Sequence, residues 1–249
     1  MVTVCRESVQ IMAKFKFSDL TSYLHGDIMK YMDIQDQIEH QRMNKTWRDW
    51  SRSVIRQCRT LVLGYGQPPE FSYTDQLMYR EPILYVKSYR PIKKFLESVK
   101  STNLSELKTI VVTDEQFDDD AIQADTDLSN LPSTIYHLYI YVGHLKDSFV
   151  TKIVESANFT SLKRLTVCDT SQEVIKLIKL NEASIEQLYL GRTHAIDLET
   201  IMMSSLKSLK RLQVSLIDEE DELLEERIIE FIKKLPNLTQ LKVGRHIRH

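Results

Sequence analysis

Tyrosine and arginine side chains recur along the second half of the chain, each on a different predicted strand. Four of them, Tyr139, Arg164, Tyr189 and Arg211, occupy outward positions of those strands. Tyr and Arg are the residues that most often anchor protein interfaces, and a guanidinium can hold a carboxylate or phosphate bidentately. The chemistry that these residues indicate is noncovalent recognition of a partner.

Motifs for covalent catalysis are missing from the sequence. It contains no Gly-rich phosphate loop, no nucleophile elbow and no His-Glu-x-x-His pair. Cys168 and His194 lack further ligands in a zinc pattern, and the acidic residues 113–120 lack the glycine and closing glutamate of a calcium loop. We therefore expect no catalytic residues, no metal and no cofactor.

A second acidic stretch, residues 218–226, holds seven carboxylates in nine residues. It has two interpretations. It is either a site for a basic partner or a solvated loop whose acids lie at the N-terminus of the next helix, where the helix dipole stabilises them.

The segments that carry the four aromatic and basic residues repeat. Each reads apolar-x-x-apolar-x-apolar, and the middle apolar residues are separated by 28, 27, 23, 24 and 29 residues. The six hexads are residues 107–112, 135–140, 162–167, 185–190, 209–214 and 238–243. This period is typical of leucine-rich repeats, in which each unit buries its apolar side only by stacking on its neighbours.

The end of each hexad alternates in and out as a short strand does, and an amphipathic helix is predicted between successive hexads. Helices are predicted at residues 92–99, 149–154, 173–178, 198–203 and 227–232. Residues 58–63 begin the sheet, and residues 83–86 are expected to supply the strand between residues 58–63 and 107–112. The predicted fold of residues 58–249 is an α/β leucine-rich-repeat horseshoe of about seven to eight irregular repeats, with parallel strands on the concave face and helices on the convex face.

Two rows of outward positions should run across this sheet. The first is His137, Arg164, Gln187, Arg211 and Gln240, and the second is Tyr139, Thr166, Tyr189, Gln213 and Lys242. Our hypothesis is that the four aromatic and basic residues form part of a substrate surface. The alternative is that both rows are only the solvated side of a sheet.

The residue three past each hexad often satisfies backbone groups of the turn with a polar side chain. Here it is Thr170, Thr193 and Ile217 after three successive hexads. Thr can make such a hydrogen bond and Ile cannot. At least one of these turns should therefore be built differently.

Residues 17–57 form a predicted helical unit, with a third helix from about Asn44 or Lys45 to Gln57. Its sequence resembles an F-box. The residues that carry the resemblance are Leu20, Leu24, Ile28, Tyr31, Met32, Asp36, Lys45 and Trp47, and Thr21 and Asn44 stand where Pro and Cys are usual. The alternative is a generic three-helix cap on a repeat domain, with Trp47 in its core.

An F-box followed by leucine-rich repeats resembles the substrate receptors of SCF ubiquitin ligases. The resemblance implies that the F-box docks on a Skp adaptor, which holds the cullin and RING subunits, while the repeats hold a protein substrate. The residues it implies for the adaptor face are Leu20, Leu24, Ile28, Tyr31, Met32, Ile34, Ile38 and Trp47. The alternative is a binding scaffold that tethers a partner without ubiquitin transfer.

Composition narrows the class of protein. The chain has 249 residues, 42% of them hydrophobic, and a formal net charge of −2, which gives no electrostatic reason to expect nucleic acid or a membrane as partner. Three cysteines without close pairing indicate a reducing compartment. Residues 1–16 form a lead-in without the apolar core of a signal peptide, so we expect a cytoplasmic or nuclear protein.

Overall fold

The protein is an α/β protein organised around a parallel sheet. The structure, a computed structural model, describes residues 45–63, 83–86, 104–112, 131–133, 135–140, 147–217 and 222–245. In these ranges the strands are β1 (Thr60–Leu63), β2 (Ile83–Val86), β3 (Thr109–Val112), β4 (His137–Ile140), β5 (Arg164–Asp169), β6 (Gln187–Thr193), β7 (Arg211–Leu216) and β8 (Gln240–Arg245). The helices are α1 (Lys45–Gln57), α2 (Asp147–Glu155), α3 (Gln172–Leu180), α4 (Ala195–Met202) and α5 (Glu222–Lys233), with a 3₁₀ turn at Ala157–Phe159.

The chain divides into two compact units, Met1–Val54 and Ile55–His249. In the first unit the described residues are the opening turns of α1. The predicted third helix of the N-terminal module is confirmed by α1, which ends at Gln57 as expected. The sheet and the other helices belong to the second unit.

Every strand of the sheet is parallel to its neighbours, and the six hexads each supply one. The register is fixed at the start of strands β3 to β8 by one carbonyl of the preceding strand, which accepts two N–H groups. For example, the Lys163 carbonyl accepts from the N–H groups of Glu186 and Gln187 at 2.8 and 3.0 Å. The same double acceptor recurs at the carbonyls of Arg59, Lys108, Tyr136, Lys163, Glu186 and Lys210.

The helices lie in chain order along the sheet, with α2 against α3, α3 against α4 and α4 against α5. Four predicted helices are confirmed by α2 to α5, and the predicted helix at residues 92–99 lies outside the described residues. One face of the strands is buried against them: Leu165, Leu188 and Leu212 are at most 4% exposed. Within the described ranges, no helix is long and apolar enough to cross a membrane.

Strand β2 is present, but its position in the sheet differs from the predicted one. It pairs with β1 on the side away from β3, and β1 and β3 pair directly. The predicted strand at residues 83–86 is confirmed, whereas the prediction that residues 58–63 begin the sheet is wrong, because β2 lies outside β1. Each hexad has an apolar anchor three residues before its middle position, whereas the corresponding residue here is Glu81.

A bulge at Gly191 accommodates the different lengths of strands β6 and β7 within one sheet. Leu190 pairs with Val214 but Arg192 pairs with Ser215, so β6 holds one more residue than β7. On the other side β6 stays in step with β5, and Gly191 lies so close to β5 that a Cβ atom would be 2.1 Å from the Cys168 carbonyl oxygen.

The bulge also determines which residue of β7 pairs with the turn residue Thr193 of β6. Thr170 and Thr193 are buried, and their hydroxyl oxygens are 2.9 Å apart in a hydrogen bond. In the next strand Leu216, not Ile217, pairs with Thr193 and is buried. The expectation that one turn is built differently is confirmed, because the shorter strand replaces the hydroxyl pair with an apolar contact.

Asn181 connects two neighbouring repeats from a buried position at the end of α3. It is 1% exposed. Its Oδ1 accepts from the Leu162 N–H at 2.8 Å, in the turn that leads into β5, and its Nδ2 donates to the Leu177 carbonyl at 2.9 Å. Ser184 adds a bond from its hydroxyl to the Leu162 carbonyl at 2.9 Å. These bonds satisfy backbone groups that would otherwise be buried without partners.

We expect Gly191→Ala to lower the free energy of unfolding by about 3 kcal/mol, because the added methyl meets backbone atoms that cannot rotate away. Gly244→Ala is the matched control, since a methyl group at that position of β8 would have nothing within 4 Å, and its change should stay within about 0.5 kcal/mol. Urea unfolding followed by circular dichroism measures both. Equal stability of the two variants would contradict the close approach at Gly191.

We expect Asn181→Ala to cost about 2 kcal/mol, because the buried Leu162 N–H loses its acceptor. Asn237→Ala removes a similar bond, from Nδ2 to the Lys207 carbonyl at 2.8 Å, but at an exposed position where water replaces it. Its cost should stay below about 1 kcal/mol. The same urea titration compares them, and a cost at Asn237 as large as that at Asn181 would argue against the role of burial.

Candidate functional site

Both predicted rows of outward residues exist in the register expected. Arg164 pairs with Gln187, Gln187 with Arg211 and Arg211 with Gln240, and the second row is aligned in the same way. From β5 to β8 these residues are half-buried or exposed, while the residues between them on β5 to β7 are buried. We call this surface the open face; its residues are Arg164, Thr166, Gln187, Tyr189, Arg211, Gln213, Gln240 and Lys242.

Arg164 lies between two tyrosine rings. Its guanidinium carbon is 5.0 Å from the ring centre of Tyr139 on β4 and 5.0 Å from that of Tyr189 on β6. Each such contact contributes about 0.5–1 kcal/mol where solvent is near and more where it is excluded. The two rings restrict the position of the guanidinium on the sheet.

Tyr139 is the buried member of this arrangement. It is 1% exposed, although it belongs to the same row as Thr166 and Tyr189. The sheet is buried on both faces at this end, since all four residues of β3 are also buried. Of the four predicted site residues, Tyr139, Arg164 and Tyr189 are therefore brought together. The expectation that Tyr139 is exposed at the surface is wrong, because its side chain is buried beside Arg164.

Two polar atoms beside this stack have no hydrogen-bond partner among the described residues. They are Thr166 Oγ1 and Gln187 Oε1, both shielded from solvent. An unsatisfied buried polar atom costs about 1–3 kcal/mol, so this part of the surface is not optimised for stability alone.

Arg211, the fourth predicted residue, lies two strands from Arg164 in the same row. It is half-buried, and no hydrogen bond or ion pair joins its side chain to other described residues. A partly desolvated guanidinium is more favourable when paired with an anion. Arg211 thus offers a site for a carboxylate or phosphate of a partner.

A line of alternating charges borders the open face at the starts of the strands. The Glu186 carboxylate is 2.6 Å from Lys210 Nζ and 3.4 Å from Lys163 Nζ, and Lys163 also lies 5.9 Å from the ring centre of Tyr136. The hydrogen bond from Lys210 lowers the pKa of Glu186, with a weaker contribution from Lys163, while burial acts in the opposite direction. The apolar pattern of the hexads does not single out these residues, although the second hexad position reads Lys, Glu, Lys in three successive repeats.

The described cysteines are poor nucleophiles. Burial raises the pKa of Cys58 to about 12. Burial also raises the pKa of Cys168, and the neighbouring Asp169 carboxylate raises it further. In the described part of the chain, no three His, Cys, Asp or Glu side chains come together as metal ligands would.

The adaptor-face residues implied by the F-box resemblance lie mostly outside the described residues. They are Leu20, Leu24, Ile28, Tyr31, Met32, Ile34 and Ile38. Trp47 lies on α1. No protein-family model matches the sequence, and no curated protein matches it either.

We expect Glu186→Gln to lower the free energy of unfolding at pH 7 by about 0.5 kcal/mol, since both ion pairs are partly exposed. The carboxylate pKa is lower in the folded protein than the unfolded value of about 4.3, so its contribution is complete above that pH. It disappears as the pH falls through the folded pKa.

Urea titrations at about pH 7, 5, 4 and 3 test this expectation: the difference between Glu186→Gln and the parent protein should shrink toward the lowest pH. Glu226→Gln, an exposed carboxylate of α5 that makes no ion pair with other described residues, is the control and should show little difference at any pH. A Glu186→Gln penalty that grows as the pH falls would contradict the ion-pair explanation.

Proposed function

We propose that this chain is a protein-binding receptor whose open face holds the partner. The observation that carries the proposal is the Arg164 guanidinium, held between Tyr139 and Tyr189 on a face that the helices leave uncovered. Tyr and Arg anchor interfaces well because they bury a large area with few rotatable bonds, and here the rotamers are already restricted by stacking.

The repeating strand, turn and helix units support the identification of residues 58–249 as leucine-rich repeats. Six hexads supply six neighbouring strands, each locked to the next by a double carbonyl acceptor. Repeats with strands on one side and helices on the other curve into a horseshoe with the strands on the concave face. In that arrangement the open face is the inner surface, which favours contact with one extended partner.

The resemblance of residues 17–57 to an F-box supports a role for this receptor within a ubiquitin ligase. We infer that the N-terminal unit docks on a Skp adaptor and so brings the partner to a cullin and RING ubiquitin ligase. The chain would contribute proximity, which makes the ubiquitin transfer effectively unimolecular, and no covalent chemistry of its own. The described thiols, with their raised pKa values, fit this division of labour.

A scaffold that binds a partner without ubiquitin transfer is the second candidate. It is favoured by Thr21 and Asn44, which depart from the residues usual in an F-box at those positions. The two candidates share the open face and differ only in whether the N-terminal unit binds the adaptor.

Co-expression of the full chain with a Skp adaptor, followed by size-exclusion chromatography, distinguishes them. We expect a stoichiometric complex that is lost in a Leu24→Asp, Ile28→Asp variant, because two charges would enter the implied apolar adaptor face. The control is Ile196→Asp, Met203→Asp, which adds the same charges at positions that are 67% and 83% exposed in the second unit, and which should keep the complex.

Circular dichroism and thermal unfolding of each variant establish whether the repeats remain folded. A folded parent chain that elutes apart from the adaptor would refute the ligase proposal and favour the scaffold. Loss of the complex in both double variants would mean that the adaptor contact is not specific to residues 17–57.

A further inference from the structure

We propose that the chain forms a symmetric dimer in which strand β8 pairs antiparallel with β8 of a second copy. The surface that carries this inference is the edge patch, which we define by three apolar residues, Ile229 of α5 and Leu241 and Val243 of β8. The inference goes beyond the proposed receptor function, and it depends neither on the open face nor on the adaptor.

The apolar rows on the helix side of the sheet become exposed at β8. In the first row Leu188 and Leu212 are at most 4% exposed, whereas Leu241, the residue that pairs with Leu212, is 40% exposed. In the next row Val214 is buried and its pairing residue, Val243, is 39% exposed. Strand β8 has β7 on one side and no described strand on the other, so its apolar residues lack the cover that inner strands receive.

The main chain of β8 can extend the sheet by one more strand. The Gln240 N–H donates to the Lys210 carbonyl, so the main-chain groups of Gln240 and of alternate residues after it face β7. The N–H and C=O groups of Leu241 and Val243 therefore point away from β7, toward the side where no described strand lies. Such an edge is a template for a further strand. The edge patch thus offers hydrogen bonds and apolar side chains together.

Ile229 adds the helix layer to the edge patch. Arg227, two residues earlier on α5, is in an ion pair with Glu199 of α4, so Arg227 lies on the side of α5 that faces α4. Residues two apart on an α-helix differ in direction by about 200°, which places Ile229 on the side away from α4. Ile229 is 53% exposed. The helix and the strand of this repeat are therefore both apolar and exposed on their outer sides.

A second copy of the chain matches both parts of the edge patch. A two-fold dimer requires one self-complementary surface, and a two-fold axis perpendicular to the sheet sets β8 antiparallel to its counterpart. The same axis leaves the helices of both copies on one side of the extended sheet. Leu241 and Val243 of the two copies then form one apolar row, with the two α5 helices and their Ile229 side chains on either side of it. A single extended peptide would pair with β8 but would leave Ile229 exposed.

The polar residues of β8 favour one register of this pairing. With Leu241 opposite its counterpart, Gln240 lies opposite Lys242 of the second copy, so no like charges face each other directly. The two Leu241 residues then form a hydrogen-bonded pair, because the main-chain groups of both point outward. With Lys242 opposite its counterpart, two ammonium groups would be opposed, which is destabilising. We therefore expect the two-fold axis to pass near Leu241.

The test is size-exclusion chromatography with multi-angle light scattering on the full chain, without an adaptor. The mass of one chain is 29.2 kDa. We expect about twice this mass at about 50 μM protein, and a decrease toward the mass of one chain at about 1 μM, because dimerisation depends on concentration.

Hydrogen exchange at the same two concentrations gives an independent measurement. A peptide that contains residues 241–243 should exchange at least about threefold more slowly at the higher concentration, because the outward N–H groups become hydrogen-bonded. A peptide that contains residues 187–190 of β6 should not change, since its strand has a neighbour on both sides.

Matched variants at Val243 test the strand pairing. Val243→Pro removes the outward N–H group but keeps the bonds to β7, since proline is tolerated on the open side of an edge strand. We expect the mass of one chain for this variant at about 50 μM, because the pairing loses a hydrogen bond and meets the proline ring. Val243→Ile keeps both the N–H group and an apolar side chain, and should remain dimeric.

A second pair of variants tests the helix part of the edge patch. Ile229→Lys should raise the dissociation constant of the dimer at least about tenfold, because it places a charge among apolar side chains. Ile196→Lys adds the same charge on α4, outside the edge patch and at a position that is 67% exposed, and should leave the dimer intact. Urea unfolding establishes that each variant is folded.

Several outcomes would overturn the proposal. The mass of one chain at every concentration would exclude the dimer, and a dimer that persists in folded Val243→Pro and Ile229→Lys variants would use another surface. A mass above that of two chains would indicate head-to-tail assembly instead of a two-fold dimer. Slow exchange of residues 241–243 at every concentration would show that the edge patch is covered within one chain. Because no adaptor is present, failure here is distinct from failure of the adaptor complex.

Discussion

The whole arrangement depends on one repeated hydrogen-bond pattern, a carbonyl before each strand that accepts two N–H groups from the next. It recurs from Arg59 to Lys210 with donor-acceptor distances of 2.7 to 3.1 Å. Because side chains alternate along a strand, a slip of one residue would exchange the buried and open rows. The double acceptor sets the register at the first residues of strands β3 to β8. That register determines which side chains of the open face lie beside each other. The alignment of Arg164 between two tyrosines follows from it.

Most of the sheet could be predicted from the sequence, because the hexad fixes both the strand and its direction of alternation. The rows through Arg164 and Thr166 follow from that pattern alone. Strand β2 could not be placed, since a four-residue apolar segment without an anchor does not specify its neighbour. The bulge at Gly191 could not be predicted either, because only the comparison of β6 with β7 in space shows that one strand is a residue longer.

The sequence predicts which residues make up the candidate site, but not how deeply each is buried or which of their polar atoms lack partners. Spacing alone placed Tyr139, Arg164 and Tyr189 on adjacent strands, and the ring contacts follow from that adjacency. The burial of Tyr139 depends on what covers the sheet at β3 and β4, which a row pattern does not encode. Three consecutive apolar residues at 110–112 of β3 are, however, a usual sign of a strand buried on both faces. The unpartnered atoms of Thr166 and Gln187 have no sequence signal.

The bulge at Gly191 has a consequence for how such a surface diversifies. It lies past the two rows of open-face residues, so the difference in length between β6 and β7 is accommodated after them along the strands. Arg164, Gln187 and Arg211 therefore stay level with one another although the strands that carry them differ in length. The backbone of the open face is thus a regular framework on which a side chain can be exchanged on one strand while the positions on the other strands stay unchanged.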